Sequence, residues 1–199
     1  MGRKRDEAAF EAKRAEIREV AEALFAERGF HQTGMAAICA ELGMSPGALY
    51  RYYASKAEII HAIVEQERVE SIPYVEQLAS AKDFTGALVS LLSAFIAEVM
   101  DDDYAGLALE ISAEAHRDDD IGTLLRDSEE TLVRALATQI AAASKDGRVG
   151  SQADPDASAR MLLTLVNGAV GDGAGLARLS KRRTNKALRA VVESLMGRS

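Results

Sequence analysis

The chain has 199 residues, of which 28% are charged, a net charge of −7 and a single cysteine, Cys39. This length allows one sizeable core or two small domains. One cysteine excludes an internal disulfide framework and fits a reducing compartment, and no apolar run approaches the ~20 residues that cross a bilayer. We therefore expect a soluble, cytoplasmic protein with no membrane contact.

Apolar residues recur at helical spacing along almost the whole chain, whereas few runs alternate with period two. This pattern predicts an all-α fold of about nine helices. The first predicted helix covers about residues 6–28, and its apolar stripe consists of Ile17, Val20, Ala21, Leu24 and Phe25. A glycine at the C′ position, Gly29, is expected to end it.

Two short helices follow, over about residues 35–42 and 46–53, with Gly43 between them. Glycine tolerates the positive φ that so tight a turn requires. Ser45 is a suitable N-cap for the second of these helices, and Pro46 suits its first position. Two helices joined in this way are typical of the helix-turn-helix motif, which lays its second helix in a DNA major groove.

The rest of the chain predicts a larger helical body. Ser55 and Glu58 form a capping box for a fourth helix, which Pro73 is expected to end or kink. Further helices are predicted over residues 84–100, 104–116, 121–144, 155–171 and from 184 onward, with Asp83 and Asp154 as caps. We place the division between an N-terminal three-helix head, residues 1–55, and a body, residues 56–199.

The excess negative charge lies entirely in this predicted body. Residues 1–60 contain nine Lys or Arg and nine Asp or Glu, so the net charge of −7 belongs to residues 61–199. Screening confines electrostatic effects to ~8–10 Å at physiological salt. A neutral head can therefore still bind DNA phosphates.

The head resembles the TetR family of transcriptional regulators. That family shows a Gly-aromatic pair after the first helix, a Thr or Ser before the second, an Ala-x-x-Gly turn, a third helix rich in Tyr, and a following Ser-Lys. Here these features are GF at 29–30, Thr33, AELG at 40–43, SPGALYRYY at 45–53 and SK at 55–56. The sequence departs from the pattern at Gly34, often a Thr or Ser, and at Tyr53, usually Phe.

The resemblance implies a DNA-binding surface made of Thr33, Gly34, Met35, Ser45, Pro46, Gly47, Ala48, Tyr50, Arg51, Tyr52 and Lys56. Thr33, the start of the second helix, Tyr50, Tyr52 and Lys56 would contact phosphates, and residues 45–48 would face the groove. Arg51 could contact guanine, or equally a phosphate or solvent. Leu49 and Tyr53 are expected to pack inside the head.

The resemblance further implies a homodimer, because one short recognition helix reads few base pairs. Two heads spaced ~34–36 Å apart would read a palindromic double-stranded DNA operator. The interface should use the last two long helices. Their glycines, Gly168, Gly171, Gly173 and Gly175, suggest a close helix crossing near Gly168 or a frayed end of that helix beyond Gly171, and we expect both.

A cavity for an unknown small-molecule effector would lie between the fourth and seventh helices of the body. Its candidate lining residues are Met100, Tyr104, Leu107, Ile111 and His116. Residues at this helical spacing can equally belong to a plain hydrophobic core.

These features predict a ligand-responsive transcriptional regulator, a repressor released from its operator by a small molecule. The alternative is a DNA-bound scaffold that recruits a protein partner without such a ligand. We do not expect an enzyme, since the sequence shows no Ser-His-Asp set in a suitable context, no His pair at i, i+4 and no phosphate-binding loop. No cofactor and no metal site are predicted.

Overall fold

The structure is a computed structural model that describes residues 2–100, 102–150, 153–172 and 180–197. Within these ranges it consists of α-helices and one short 3-10 helix, without strands, which confirms the all-α prediction. The helices are α1 (Gly2–Arg28), α2 (Met35–Glu41), α3 (Pro46–Leu49), α4 (Lys56–Glu76), the 3-10 helix (Gln77–Ser80), α5 (Phe84–Val99), α6 (Asp102–Ala115), α7 (Asp119–Lys145), α8 (Pro155–Asp172) and α9 (Lys181–Met196).

Glycines end α1 and the α2 segment, as predicted. Gly29 has a φ of +81°, and its N–H donates to the carbonyl of Phe25 at 2.9 Å. Gly43 has a φ of +61° in the turn between α2 and α3. A side chain at either position would be strained, because L residues rarely adopt this conformation.

Helix α3 is shorter than the sequence predicts, since it ends at Leu49 and not near Tyr53. The amides of Arg51 and Tyr52 donate to carbonyls three residues back, at 3.4 and 2.9 Å, which is the bonding of a tighter turn. Sequence periodicity does not register this change, because Leu49 and Tyr53, spaced i, i+4, are both buried. Tyr50, Arg51 and Tyr52 therefore belong to a turn.

Helix α4 continues through Pro73 to Glu76, so it does not end at Pro73, which was one of the two expected outcomes. Its start is as predicted: the Glu58 amide donates to Ser55 Oγ at 3.1 Å. The Glu58 carboxylate accepts from the amide of Ala54 at 2.6 Å, one residue before the cap. The predicted caps Asp83 and Asp154 accept from Gly86 and Ala157, at 2.8 and 3.0 Å, and thereby start α5 and α8.

The first of two compact units contains Met1–Gln66 and Gly106–Leu125. Its buried core includes Ile17, Leu24, Phe25, Ile38, Leu49, Tyr53, Ile59, Ile63, Leu107, Ile111 and Ile121. The boundary expected at residues 55/56 therefore does not coincide with this division. The reason is that apolar residues of early α4 and of α6 complete the core on which α1, α2 and α3 pack.

The second unit contains Glu67–Ala105 and Arg126–Ser199. In it, α5 packs on α8 and α9 around a core that includes Leu88, Leu92, Leu136, Ile140, Leu162, Leu188 and Val192. Arg148 donates to the carbonyls of Leu78, Ala79 and Ala81 at 3.0–3.3 Å, which satisfies backbone groups at the end of the 3-10 helix. Over the described residues, no helix is long and apolar enough to span a membrane.

Candidate nucleic-acid interface and ligand cavity

Two buried side chains hold α3 and its following turn onto the first unit. Leu49 is fully buried. Tyr53 is buried as well, and its hydroxyl donates to the carbonyl of Arg14 at 3.1 Å, while the Arg14 guanidinium lies 4.4 Å from the ring centroid. The partner that a buried phenol requires is therefore a backbone carbonyl of α1. Both packing predictions are confirmed.

The opposite side of α3 is open. Ser45, Pro46 and Gly47 are exposed, Ala48 is half-buried, and a Cβ built at Gly47 would meet no atom within 4 Å. Ser45 Oγ accepts from the Ala48 amide at 3.3 Å and so caps the helix, as predicted. The small residues expected to face the groove therefore form an accessible surface on which another backbone could approach closely.

The turn after α3 presents the remaining candidates. Tyr50 is 52% exposed, and Arg51 is exposed with its guanidinium 6.0 Å from the centroid of Tyr52. Tyr52 is half-buried, because its ring stacks on Phe10 of α1 with the centroids 4.8 Å apart. The side chain of Tyr50 is thus exposed to solvent, whereas the ring of Tyr52 packs against α1.

Thr33 does not present its side chain to a phosphate, which corrects one predicted contact. The residue is completely buried, and its hydroxyl donates to the carbonyl of Leu24 at 3.1 Å. Gly34 is instead the N-cap of α2; it is exposed and supplies no side-chain cap. Met35 is half-buried at the first position of the helix. Thr33 therefore connects α1 to the start of α2 from the inside.

Lys56 also makes contacts inside the first unit. Its ammonium group donates to the carbonyl of Phe30 and lies 3.7 Å from the centroid of that ring. Burial lowers the pKa of Lys56, while the carboxylates of Glu114 and Glu110 act in the opposite direction. A lysine in this position binds the turn after α1 with one of its N–H groups, a role that the family pattern does not imply.

Glu110 of α6 holds the same turn from its other side, and sequence reasoning missed it. Its Oε2 accepts from the Phe30 amide at 2.7 Å, and its carboxylate would lie 3.3 Å from a Cβ at Gly29. Phe30 therefore has its amide bound by an acidic side chain and its carbonyl by a basic one. We call Phe30, Lys56 and Glu110 the Phe30 clamp.

Charged groups beside the clamp also join α6 to the α1–α2 loop. Glu114 is largely buried, with Oε2 3.2 Å from His31 Nε2 and 3.9 Å from Arg117 Nη1. Arg117 Nη1 lies 3.1 Å from His31 Nε2. Glu110 and Glu114 are spaced i, i+4 on α6, which is the signal that could have indicated one functional face.

The second unit contains a cavity of about 700 Å³, within the size range of small-molecule sites. Its walls come from α4, α5, α6, α7 and α8 and the residue that begins the 3-10 helix. They include the carboxylates Glu67, Glu70 and Glu98, the aromatic residues Tyr74, Phe95 and Tyr104, and the apolar residues Leu91, Leu132, Leu163 and Val166. Burial raises the pKa of the Tyr104 phenol, and so do Glu67 and Glu98.

Of the five candidate cavity residues, Tyr104 lines this cavity. Met100 packs against the core of the second unit. Leu107 and Ile111 are buried in the core of the first unit, and His116 is exposed with Nδ1 2.8 Å from the carbonyl of Ser112. The helical spacing of these residues thus reflected packing for Leu107 and Ile111. The described residues contain no group of three or more His, Cys, Asp or Glu that could hold a metal ion.

Comparisons with known proteins agree with this architecture. Residues 17–63 match the sequence model for "Bacterial regulatory proteins, tetR family", and residues 85–197 match that for "BetI-type transcriptional repressor, C-terminal". The chain is 27% identical over 159 residues, 80% of each protein, to the HTH-type transcriptional regulator UidR of Escherichia coli K12.

Solved structures have the same fold. Salmonella enterica GusR superposes with a TM-score of 0.81 at 28% identity, covering 92% of this chain and 94% of that one. A TetR-family regulator from Mesorhizobium loti superposes with a TM-score of 0.77 at 23% identity, covering 94% and 96%. The two matched segments include the helix-turn-helix and most of the remaining helices. This chain belongs to the TetR family of transcriptional regulators.

Proposed function

We propose that this regulator is a homodimeric repressor that binds a palindromic operator in the cytoplasm and is released by a small molecule. The observation that carries the DNA-binding role is the open face of α3: Ser45, Pro46 and Gly47 are exposed on a helix whose Leu49 is completely buried. A short helix anchored on one side and lined by small residues on the other suits insertion into a major groove.

The corrected contact set contains Gly34, Met35, Ser45, Pro46, Gly47, Ala48, Tyr50, Arg51 and Tyr52. Ser45 to Ala48 would lie against base edges, where Gly47 and Ala48 allow close approach and apolar contact with thymine methyl groups. Tyr50 and Arg51 would bind phosphates or a base edge next to them. Thr33 and Lys56 would act indirectly, by holding α2 and the Phe30 turn in place.

Selection of bound duplexes from a random pool would identify the operator, and binding to it would then be compared with a scrambled duplex at ~0.15 M salt. Gly47→Glu tests the face directly, because a Cβ built at Gly47 meets no protein atom within 4 Å and the added carboxylate would repel DNA phosphates. We expect this variant to keep its melting temperature and lose operator binding. Ala141→Glu, at an exposed position of α7, is the matched control. Equal binding to operator and scrambled duplex would refute specific repression.

The dimer interface that we propose consists of α8 and α9. On α9, Ala187, Ala190, Val191 and Ser194 are exposed at spacing i, i+3, i+4, i+7. On α8, Met161 is 60% exposed, and Gly168 is exposed with no atom within 4 Å of a built Cβ. Such apolar and small residues on two exposed helix faces are typical of surfaces that pack against a second copy. Gly171 lies in the last turn of α8, which ends at Asp172. Gly173 and Gly175 lie outside the described residues.

The effector would bind in the cavity of the second unit. Helix α4 supplies cavity residues between Glu67 and Tyr74, and the same helix begins at Lys56, next to Phe30. An effector that prefers one position of α4 over another shifts the population between DNA-binding and released states. The measurement is operator release on addition of the effector. If no small molecule stabilises the protein in a thermal-shift screen and a protein partner binds the body, the scaffold alternative would replace this part of the proposal.

A further inference from the structure

The cavity of the second unit has a charge pattern that restricts its ligand. Three carboxylates, those of Glu67, Glu70 and Glu98, belong to its walls, and none of the described residues that line it is Lys, Arg or His. These carboxylates can also interact with residues outside the cavity. The charged side chains among the described lining residues are nevertheless all negative.

Aromatic side chains accompany these carboxylates. Tyr74 is 55% exposed, and Phe95 and Tyr104 are half-buried in the same walls. The face of an aromatic ring attracts a cation within about 6 Å, and this attraction strengthens when the cation is desolvated. The remaining walls, including Leu91, Leu132 and Leu163, are apolar. The cavity can therefore accommodate a positive group and a hydrophobic body together.

Tyr104 lies within the electric field of two of these carboxylates. Glu67 and Glu98 both raise the pKa of its phenol, in addition to the effect of burial, because a negative environment disfavours the phenolate. Its hydroxyl is also hydrogen-bonded to Glu67. The same field that opposes a phenolate would oppose an anionic ligand and favour a cationic one.

We propose that the effector of this regulator is an organic cation with an apolar body, an amine or a quaternary ammonium compound, bound between the carboxylates of Glu67 and Glu98 and the rings of Phe95 and Tyr104. This inference rests on the proposed function, since it names the ligand class of the effector cavity. It excludes sulfonates, phosphate esters and carboxylic acids as effectors, because the described lining residues include no basic side chain to bind them.

The test uses three probes of nearly equal size and different charge: phenylbutylamine, phenylbutanol and phenylbutyrate. At neutral pH the amine is cationic, the alcohol neutral and the acid anionic. Calorimetric titration of the full-length protein without DNA should show that the amine binds about tenfold more tightly than the alcohol, with the carboxylate weakest. Equal affinities, a preference for the carboxylate, or no binding of the amine below ~1 mM would overturn the cationic class.

Glu98→Gln tests whether the cavity carboxylates cause the preference. We expect it to weaken amine binding about fivefold and leave alcohol binding unchanged, because a partly exposed charge pair contributes about 1 kcal/mol or less. Glu129→Gln, on an exposed position of α7 outside the cavity, is the control and should change neither affinity. If both variants behave alike, the amine binds elsewhere and the assignment is wrong.

A separate measurement distinguishes this inference from the proposed function. Operator binding is measured with and without saturating amine on the same protein. If the amine binds but does not release the operator, the cavity does bind cations, and the proposal that a cation is the effector is refuted. Release by a neutral or anionic compound that competes for the cavity would support the effector mechanism and overturn the cationic class.

Discussion

Thr33 shows how one residue can match a DNA-binding pattern and yet act inside the protein. Its side chain is buried and donates to the carbonyl of Leu24, so it joins α1 to the start of α2. Thr33→Val keeps the shape and removes the donor. We expect a loss of about 1 kcal/mol in the free energy of unfolding, or about 2–4 °C in melting temperature.

Operator affinity separates this role of Thr33 from a phosphate contact. The dependence of binding on salt reports phosphates that Lys or Arg neutralises, so an uncharged hydroxyl does not contribute to it. At a temperature where the variant is fully folded, we expect Thr33→Val to bind the operator as tightly as the wild type, and Gln32→Ala, at an exposed neighbouring position, to change neither stability nor affinity. Weaker operator binding by fully folded Thr33→Val would restore the phosphate assignment.

The lowered pKa of Lys56 predicts that the stability of the protein depends on pH. Its pKa is lowered below 10.5 in the folded protein by burial, so in the pH range just below 10.5 the unfolded chain binds more protons than the folded one. Stability then rises with pH across that range. Compared with Lys56→Met, the wild-type protein should gain stability in urea unfolding as the pH increases towards 10.5.

The opposite trend for Lys56 would mean that the attraction of Glu110 and Glu114 outweighs burial. Lys82→Met, at an exposed position, is the control for removing a lysine side chain and is compared with the wild type over the same pH range. In both outcomes the salt dependence of operator binding shows whether Lys56 reaches a phosphate. We expect Lys56→Met to leave the slope of log K against log salt unchanged, because the ammonium of Lys56 is bound to Phe30.

At the scale of elements, α6 holds the turn between α1 and α2 through Glu110. The carboxylate accepts from the Phe30 amide at 2.7 Å, and the amide has no other acceptor among the described contacts. Glu110→Ala leaves this partly buried donor without its charged acceptor. We expect a loss of about 1–3 kcal/mol in the free energy of unfolding, measured with urea.

Glu19→Ala removes an exposed carboxylate of α1 in the same unit and controls for the change in net charge. If both variants lose the same stability, the Phe30 clamp contributes nothing specific. We further expect Glu110→Ala to weaken operator binding at temperatures where it is fully folded, because the start of α2 follows directly from the clamped turn. Unchanged operator binding would show that α6 is not needed to position the head.

At the scale of the whole molecule, dimerisation should depend on exposed residues of α8 and α9. Met161→Glu and Val191→Glu place a charge where the described chain leaves the side chain 60% and 37% exposed, so each monomer should still fold. In a dimer interface the same charge would be buried without a partner, which costs several kcal/mol. Sedimentation should show monomers, and operator binding should fall sharply.

Val69→Glu is the matched control for these interface variants, because Val69 is 52% exposed on α4. We expect it to sediment like the wild type. Dimers of unchanged stability in both interface variants would contradict an interface made of α8 and α9. Monomers that bind the operator as tightly as the wild type would contradict the need for two heads.

Local signals explain how much of the fold could be predicted. The caps at Ser45, Ser55, Asp83 and Asp154 involve residues within four positions along the chain, and the glycine ends of α1 and α2 require only a positive φ. Family resemblance added the helix-turn-helix, because its motif is an ordered set of local residues. The ends of α3 and α4 differed from the prediction, since α3 ends at Leu49 and α4 continues through Pro73. The partner of the Tyr53 hydroxyl, the carbonyl of Arg14, lies 39 residues away along the chain.

The sequence by itself determined the all-helical architecture and, through the family resemblance, a TetR-type head with Leu49 and Tyr53 inside it. The architecture follows from periodicity, and the head follows from an ordered set of residues close together along the chain. Only the tertiary structure decided that Thr33 and Lys56 turn inward, that Glu110 binds Phe30 from 80 residues away, and that Glu67, Glu98 and Tyr104 meet in one cavity. The physical reason is that the partner of a polar side chain is set by which helices pack together, and residue spacing along one helix does not contain that information.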